Sequence, residues 1–207
     1  MRTDSKTIYV DLDDVLCQSA RHFLLIVERE FGKRIRYEQV INFDVGRSCG
    51  LASEERDELY RIVHRPEELL SMEPVEEAIA VLKQWNERGF HIAIVTGRPP
   101  DSSEVSREWL AKHRIAHSSF TVVDKYSRFT PDSSKAISLA ELSTRRFCWA
   151  VEDSLPMAQY LANEMKVPVV LLDRPWNQFD GKHVRIRRYR DWGEISAALP
   201  ALSFGNS

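Results

Sequence analysis
The sequence has no cysteine pair, no long apolar run, no repeat and no bias of charge, and each absence removes a class of protein. Its three cysteines, Cys17, Cys49 and Cys148, are scattered without CxxC spacing. That favours reduced thiols in a cytoplasmic protein over a disulfide frame or a zinc site. No run approaches membrane-spanning length, and no apolar signal segment precedes the first strand-like stretch, so neither a membrane anchor nor a leader is expected. The formal net charge is −2, which gives no reason to expect a nucleic-acid or membrane partner. His22, His64, His91, His113, His117 and His183 show no metal-ligand spacing. What remains is ordinary for a globular chain: 207 residues, 43% hydrophobic and 29% charged, with room for one sizeable core and a modest extra element.

Short apolar runs rich in β-branched and aromatic residues predict strands at residues 7–10, 91–95, 120–123, 147–151 and 168–172. Helical periodicity falls between them, at 75–88, 104–113, 133–142 and 156–165, with Gly89 as a C-cap after the first. Strand then helix, repeated, predicts a parallel sheet covered on both faces. One region breaks the alternation. After the first strand come nearly sixty residues without a convincing strand: a helix at 19–31, an irregular stretch with a turn near Gly46, and a helix at 53–63 with Ser53 as N-cap. This predicts a small helical cap at 17–72 over an α/β core made of 1–16 and 73–207. Ligands of open α/β sheets bind at the strands' carboxyl edge, and loops this long usually carry function.

That edge is where the chemistry-bearing residues fall. In "TIYVDLDDVL" a buried strand runs into Asp11, Asp13 and Asp14. Acids this close repel unless a cation holds them or one keeps its proton, and a hard divalent cation prefers oxygen ligands. Capping of a turn or of the following helix is the plainer use of such residues. "IAIVTGRPP" puts Thr96, Gly97 and Arg98 after a second strand, as a phosphate cradle or simply a turn. "WAVEDSLPMA" puts Glu152 and Asp153 after a further strand, as a second metal ligand or, with Ser154, as an N-cap. Lys135 is expected to open the helix before that strand; Lys125, in "VVDKYS", also follows a strand.

Acid pair, Thr-Gly, Lys and Glu-Asp, in that order at strand ends and helix starts, resemble the haloacid dehalogenase superfamily of phosphohydrolases. "DLDDV" is similar to its first motif, Thr96 to its second, Lys135 to its third and "EDS" to its fourth. The resemblance implies a Rossmann-like parallel sheet with helices on both faces and a small helical cap inserted after the first strand. More narrowly, the short cap, "VTGRP", "VEDS" and "LLDRPWN" resemble the 5'(3')-deoxyribonucleotidase-like branch. The resemblance implies a magnesium-dependent phosphomonoester hydrolase with Asp11 as nucleophile and an aspartyl-phosphate intermediate. It implies Asp13 as general acid and base, and magnesium on Asp11, the Asp13 carbonyl and Asp153. It implies Thr96, Gly97 and Arg98 at the phosphoryl oxygens and Lys135 beside Asp11. Asp14 reads as a capping carboxylate, and Glu152 as either holding a metal-bound water or orienting the lysine.

The expected partner is a small-molecule phosphomonoester, for which a 5'-nucleotide is one candidate; nothing in the sequence speaks to oligomeric state. Alternatives are carbon–halogen hydrolysis, a phospho-accepting receiver and a catalytically silent phospho-ligand-binding domain. The long insertion argues against a receiver, and Asp13 against a dehalogenase, because a halide leaving group needs no proton. Phe43, in the irregular "VINFDVG", is expected to stack on the leaving group or to pin the cap to the core. Trp85 and Trp109 read as core, and Trp176 as either pocket mouth or core cover. "VRIRRYR" alternates like a strand and reads as a solvated edge rather than a nucleic-acid patch.

Overall fold
The computed structural model describes residues 6–129, 136–178 and 181–198. Six strands form one sheet: β1 (Thr7–Val10), β2 (His91–Thr96), β3 (Ser119–Val122), β4 (Trp149–Glu152), β5 (Val169–Leu172) and β6 (Ile186–Tyr189). Their order is β3-β2-β1-β4-β5-β6, every pairing is parallel, and β1 and β4 are neighbours at the centre. The doubly wound expectation is met, with one strand added. The basic stretch supplies β6, which stands as the outer edge strand beside β5.

Alternation along the strands divides the core in two. Ile8, Val10, Ile92, Ile94, Trp149 and Val151 face one cluster, while Tyr9, Ala93, Val95 and Ala150 face the other. The first is covered by α5 (Glu76–Glu87), α6 (Ser103–Lys112) and α9 (Trp192–Ala198); the second by α7 (Leu139–Ser143) and α8 (Leu155–Asn163). Trp85 and Trp109 are fully buried, and Trp85 sits edge-on to Trp149 with ring centroids 4.4 Å apart. Burying side chains of this size contributes about 1.5–3 kcal/mol each.

Between β1 and α5 lie α1 (Ser19–Phe31), α2 (Val45–Ser48), α3 (Ser53–Val63) and α4 (Pro66–Ser71). The first three enclose a third cluster, including Ile26, Val27, Leu59, Ile62 and Val63, while Leu69 of α4 joins the first cluster. The insertion leaves and returns at one point. Gln18 N donates to Glu73 O at 2.9 Å, and Val75 N to Leu16 O at 2.8 Å.

Local details differ from the sequence reading. The N-cap of α3 is Ala52, not Ser53, because the Glu55 carboxylate accepts the Ala52 amide at 2.8 Å. The stretch before it is less irregular than expected, since Asp44 caps the short α2 by accepting from Arg47 N. The helix expected at 133–142 begins at Leu139. Ile137 is still extended, with its amide on Val122 O at 3.0 Å and its carbonyl accepting Asp124 N at 2.9 Å. Ser138 and Glu141 then make a reciprocal capping box.

Candidate active site
The acidic loop is built at the end of the central strand. Asp11 N donates to Val151 O at 3.0 Å, which continues the β1–β4 ladder one residue past the strand and delivers a buried carboxylate to its tip. The chain then coils, with Asp14 at φ 56. The Asp14 carboxylate accepts Ala20 N at 3.0 and 3.2 Å and so caps α1.

The lysine that meets Asp11 is Lys125. Its Nζ donates to Asp11 Oδ1 at 2.6 Å and to Glu152 Oε1 at 2.8 Å, and the residue is buried. Lys135 lies outside the described residues. Among the described residues the helix it was expected to open, α7, begins at Leu139. Gly97 packs closely on Lys125: a Cβ there would stand 3.3 Å from the lysine Cδ, tighter than an ordinary contact. Glu152 is a brace. Tyr9 OH joins Lys125 on Oε1 at 3.1 Å, and the amides of Asp153 and Ser154 both donate to Oε2 at 2.9 Å.

Arg98, expected at the phosphoryl oxygens, lines the cavity and is paired with Asp13. Its Nε donates to Asp13 Oδ1 and Oδ2 at 3.1 and 3.0 Å, its Nη2 to Oδ1 at 2.7 Å, and its Nη1 to Ser106 Oγ at 3.1 Å. All three nitrogens are therefore spent inside the protein, because the buried guanidinium finds its counter-charge in Asp13. Thr96, at the end of β2, is fully buried, and its Oγ1 accepts Arg98 N at 3.1 Å. Gly97 lines the cavity beside Asp11 and Asp13.

Asp153 follows β4. Ser154 takes the N-cap of α8, so Asp153 is free of that duty. The loop after β5 holds it: Trp176 Nε1 donates to Asp153 Oδ2 at 2.9 Å, and Asn177 Nδ2 to Asp153 O at 2.6 Å. Arg174 in the same loop donates to the Asp14 carbonyl at 3.0 and 2.6 Å. Arg174 and Asn177 were not found from the sequence. Their only signal was the cluster of hydrogen-bonding side chains in "DRPWN".

The charges explain one another. Burial pushes the Asp11 carboxyl up, Lys125 pulls it back, and Glu152 and Asp13 raise it further, for a net rise. Asp153 stands well above the usual carboxylate range, first from burial and then from Glu152, Asp11 and Asp14. Asp13 goes the other way: burial would raise it, but the charge and hydrogen bonds of Arg98 bring it down to about 2. Burial opposes the Lys125 ammonium, yet Asp11 and Glu152 hold its pKa well above the usual lysine value.

Among the described residues, Asp11, Glu152 and Asp153 offer ligand atoms within 4.8 Å of one another. Lys125 supplies one positive charge against these three acids. The donors are hard oxygens and the charge deficit is two, which fits a divalent cation of the magnesium type. With Glu152 fully used by its donors, Asp11 and Asp153 are the side chains available to it.

A cavity of about 400 Å³ opens over these groups, between the sheet edge and the insertion. Its far wall is aromatic, with Phe23, Phe43 and Tyr60 from the insertion facing Tyr126 and Trp176 of the core. Phe43 is in a loop, as expected, 42% exposed, with its ring 5.4 Å from that of Tyr126. It thus lines the cavity and touches the core together. Trp176 does both, lining the pocket and packing against the third cluster.

This fold and site define a haloacid dehalogenase-type phosphohydrolase. Residues 5–134 match the family described as "5' nucleotidase, deoxy (Pyrimidine), cytosolic type C protein", and the chain belongs to that family. It is 22% identical over 194 residues to the Halalkalibacterium halodurans protein named "Putative nucleotidase BH1399", covering 93% of this chain and 91% of the relative. A "predicted phosphatase" from Clostridium acetobutylicum shares the fold with a TM-score of 0.64 and 14% identity, covering 97% of this chain and all (100%) of the other. A haloacid dehalogenase-superfamily hydrolase from Ehrlichia chaffeensis does so with a TM-score of 0.55 and 15% identity, over 98% and 99% of the two chains. No helix among the described residues is long and apolar enough to cross a membrane.

Proposed function
We propose that the protein hydrolyses small phosphomonoesters with magnesium, through an aspartyl-phosphate on Asp11, and that nucleoside 5'-monophosphates are among its substrates. The observation that carries this reading is a buried carboxylate at the tip of the central strand, 2.6 Å from a lysine ammonium and open to a cavity.

Asp11 attacks phosphorus, the phosphorus–oxygen bond to the alcohol breaks, and water later releases phosphate from the carboxylate. Lys125, kept cationic by Glu152, offsets the growing negative charge beside Asp11. The buried Thr96 hydroxyl donates its hydrogen to a phosphoryl oxygen, and the Gly97 amide holds another. Asp13 exchanges the proton with the leaving alcohol and then with water. Arg98 favours its ionised form, which suits it to accept from water; the guanidinium must loosen for Asp13 to carry a proton to the alcohol. Arg98 is accordingly a positioning residue for Asp13. Asp11, the Asp13 carbonyl and Asp153 would hold the magnesium ion, whose charge would lessen repulsion between carboxylate and phosphate.

We assign residues 17–72 to a cap that contacts the leaving group. Its aromatic wall and the family membership together support a nucleotide, with Phe43 stacking on the base. The test is hydrolysis of p-nitrophenyl phosphate and a panel of deoxy- and ribonucleotides with and without magnesium. Magnesium-dependent turnover is expected. Inactivity on every ester removes the reading, and turnover of p-nitrophenyl phosphate alone removes its nucleotide part.

A further inference from the structure
His64 ends α3 and lines the active-site cavity from the insertion side. Its ring stacks on Tyr60 with the planes 13° apart. Its Nδ1 lies 2.7 Å from the Tyr60 carbonyl oxygen. A carbonyl only accepts, so Nδ1 carries a hydrogen, and in the neutral ring Nε2 is left as an acceptor. Nε2 has no hydrogen-bond partner among the described residues, and it is not among the sealed, unsatisfied side-chain atoms of the interior. The imidazole is close enough to Asp13 and Arg98 for their charges to act on it.

We propose that His64 is a specificity residue whose Nε2 accepts a hydrogen bond from a hydroxyl on the leaving alcohol, close to the ester oxygen. The proposal rests on the phosphomonoesterase reading and extends it. Three features support a hydroxyl. The acceptor is fixed by its own helix, so no protein rearrangement is needed to present it. It lies near Asp13, the group that serves the ester oxygen, so it meets the first few atoms of the alcohol rather than its far end. The cavity wall also carries Phe23, Phe43 and Tyr60, and its other polar side chains are carboxylates, cations, hydroxyls and the Trp176 indole, so His64 is the one neutral ring acceptor among the described lining residues. Burial moves the His64 pKa down, ahead of the opposing effects of the Tyr60 carbonyl and Asp13, and so favours the neutral, accepting form. An alcohol without that hydroxyl leaves Nε2 unpaired once water is expelled, which is how such a site discriminates.

The experiment compares kcat/KM for two ester pairs, glycerol phosphate against propyl phosphate and a nucleoside 5'-monophosphate against its 3'-deoxy analogue, with p-nitrophenyl phosphate as the reference. Wild type is expected to prefer the hydroxylated member of at least one pair by about tenfold, the worth of one neutral hydrogen bond. His64→Phe keeps a stacking ring and removes the acceptor. It should lower kcat/KM for that hydroxylated ester by about tenfold more than for p-nitrophenyl phosphate, erasing the preference. His64→Gln, which retains an acceptor oxygen, should keep part of it. Equal losses on all esters in His64→Phe overturn the proposal. So does a wild type that turns over p-nitrophenyl phosphate yet distinguishes neither pair, a result that stands even if the Phe variant fails to fold. A wild type inactive on every ester removes the phosphatase reading itself, and this proposal with it.

Discussion
Replacing Lys125 by methionine should damage the free enzyme's stability as well as its chemistry, and the size of the damage follows from the geometry. The Lys125 side chain is 2% exposed and neutralises Asp11 and Glu152 at 2.6 and 2.8 Å. Methionine nearly fills the same volume, so cavity formation contributes little. What is lost is the counter-charge. Removing one partner of a buried ion pair costs about 3–5 kcal/mol. Glu152 keeps Tyr9 OH and two backbone amides, so Asp11 carries most of the penalty. At roughly 2–4 °C per kcal/mol for a chain of this size, the midpoint of thermal unfolding should fall by roughly 6–20 °C at pH 7. The assay is calorimetry in chelator, so that no metal substitutes for the ammonium. The pH dependence carries a sign. Without Lys125 the folded-state pKa of Asp11 rises still further above its unfolded value. Such a group is tolerated below the unfolded pKa, near pH 4, and costs more as pH rises through and beyond it. The deficit should therefore shrink on acidification. A Tm within about 2 °C of wild type at pH 7, or a deficit that does not change with pH, would refute the reasoning. Lys135→Met measured alongside should retain turnover, since Lys125 is the lysine against Asp11.

Asp153→Asn should raise the magnesium concentration needed for half-maximal turnover at least about tenfold, since one of two available carboxylates is removed; an unchanged titration would pass the ligand role to Glu152. Trp176→Phe removes the hydrogen bond to Asp153 Oδ2 and should shift the same titration in the same direction but by less, with Tm as the control for folding. Phe43→Ala should weaken kcat/KM for a nucleoside monophosphate by about 1–3 kcal/mol of stacking, and p-nitrophenyl phosphate less. Because Phe43 also touches Tyr126, equal losses on both substrates together with a lowered Tm would make it structural.

The sheet was legible because its buried strands leave dense apolar runs, and β1, β2 and β4 end in or run into polar residues. Asp11, Thr96 and Asp153 could be placed for that reason. The strand-like alternation and edge character of "VRIRRYR" were legible, but its place beside β5 was not, because an edge strand carries polar residues such as Arg188, which pairs with Asp173 at 2.7 Å. The Lys125 contact was passed over in favour of Lys135 for a tertiary reason. Ile137 bonds to β3 and delays α7, a contact that helical periodicity does not register. The Arg98–Asp13 pairing was not legible, because motif position says nothing of which partners the fold gives each guanidinium nitrogen. His64 was invisible, since a lone histidine has no spacing to find and its tautomer depends on the carbonyl four residues back.

The central claim is that Asp11 attacks phosphorus. A single turnover of radiophosphate-labelled ester, quenched in acid and digested, tests it most directly. A base-labile phosphoryl group is expected on the peptide containing Asp11, absent from Asp11→Asn, which should be folded and inactive. Full activity in Asp11→Asn, or turnover that leaves no adduct on that peptide at any quench time, would contradict the claim.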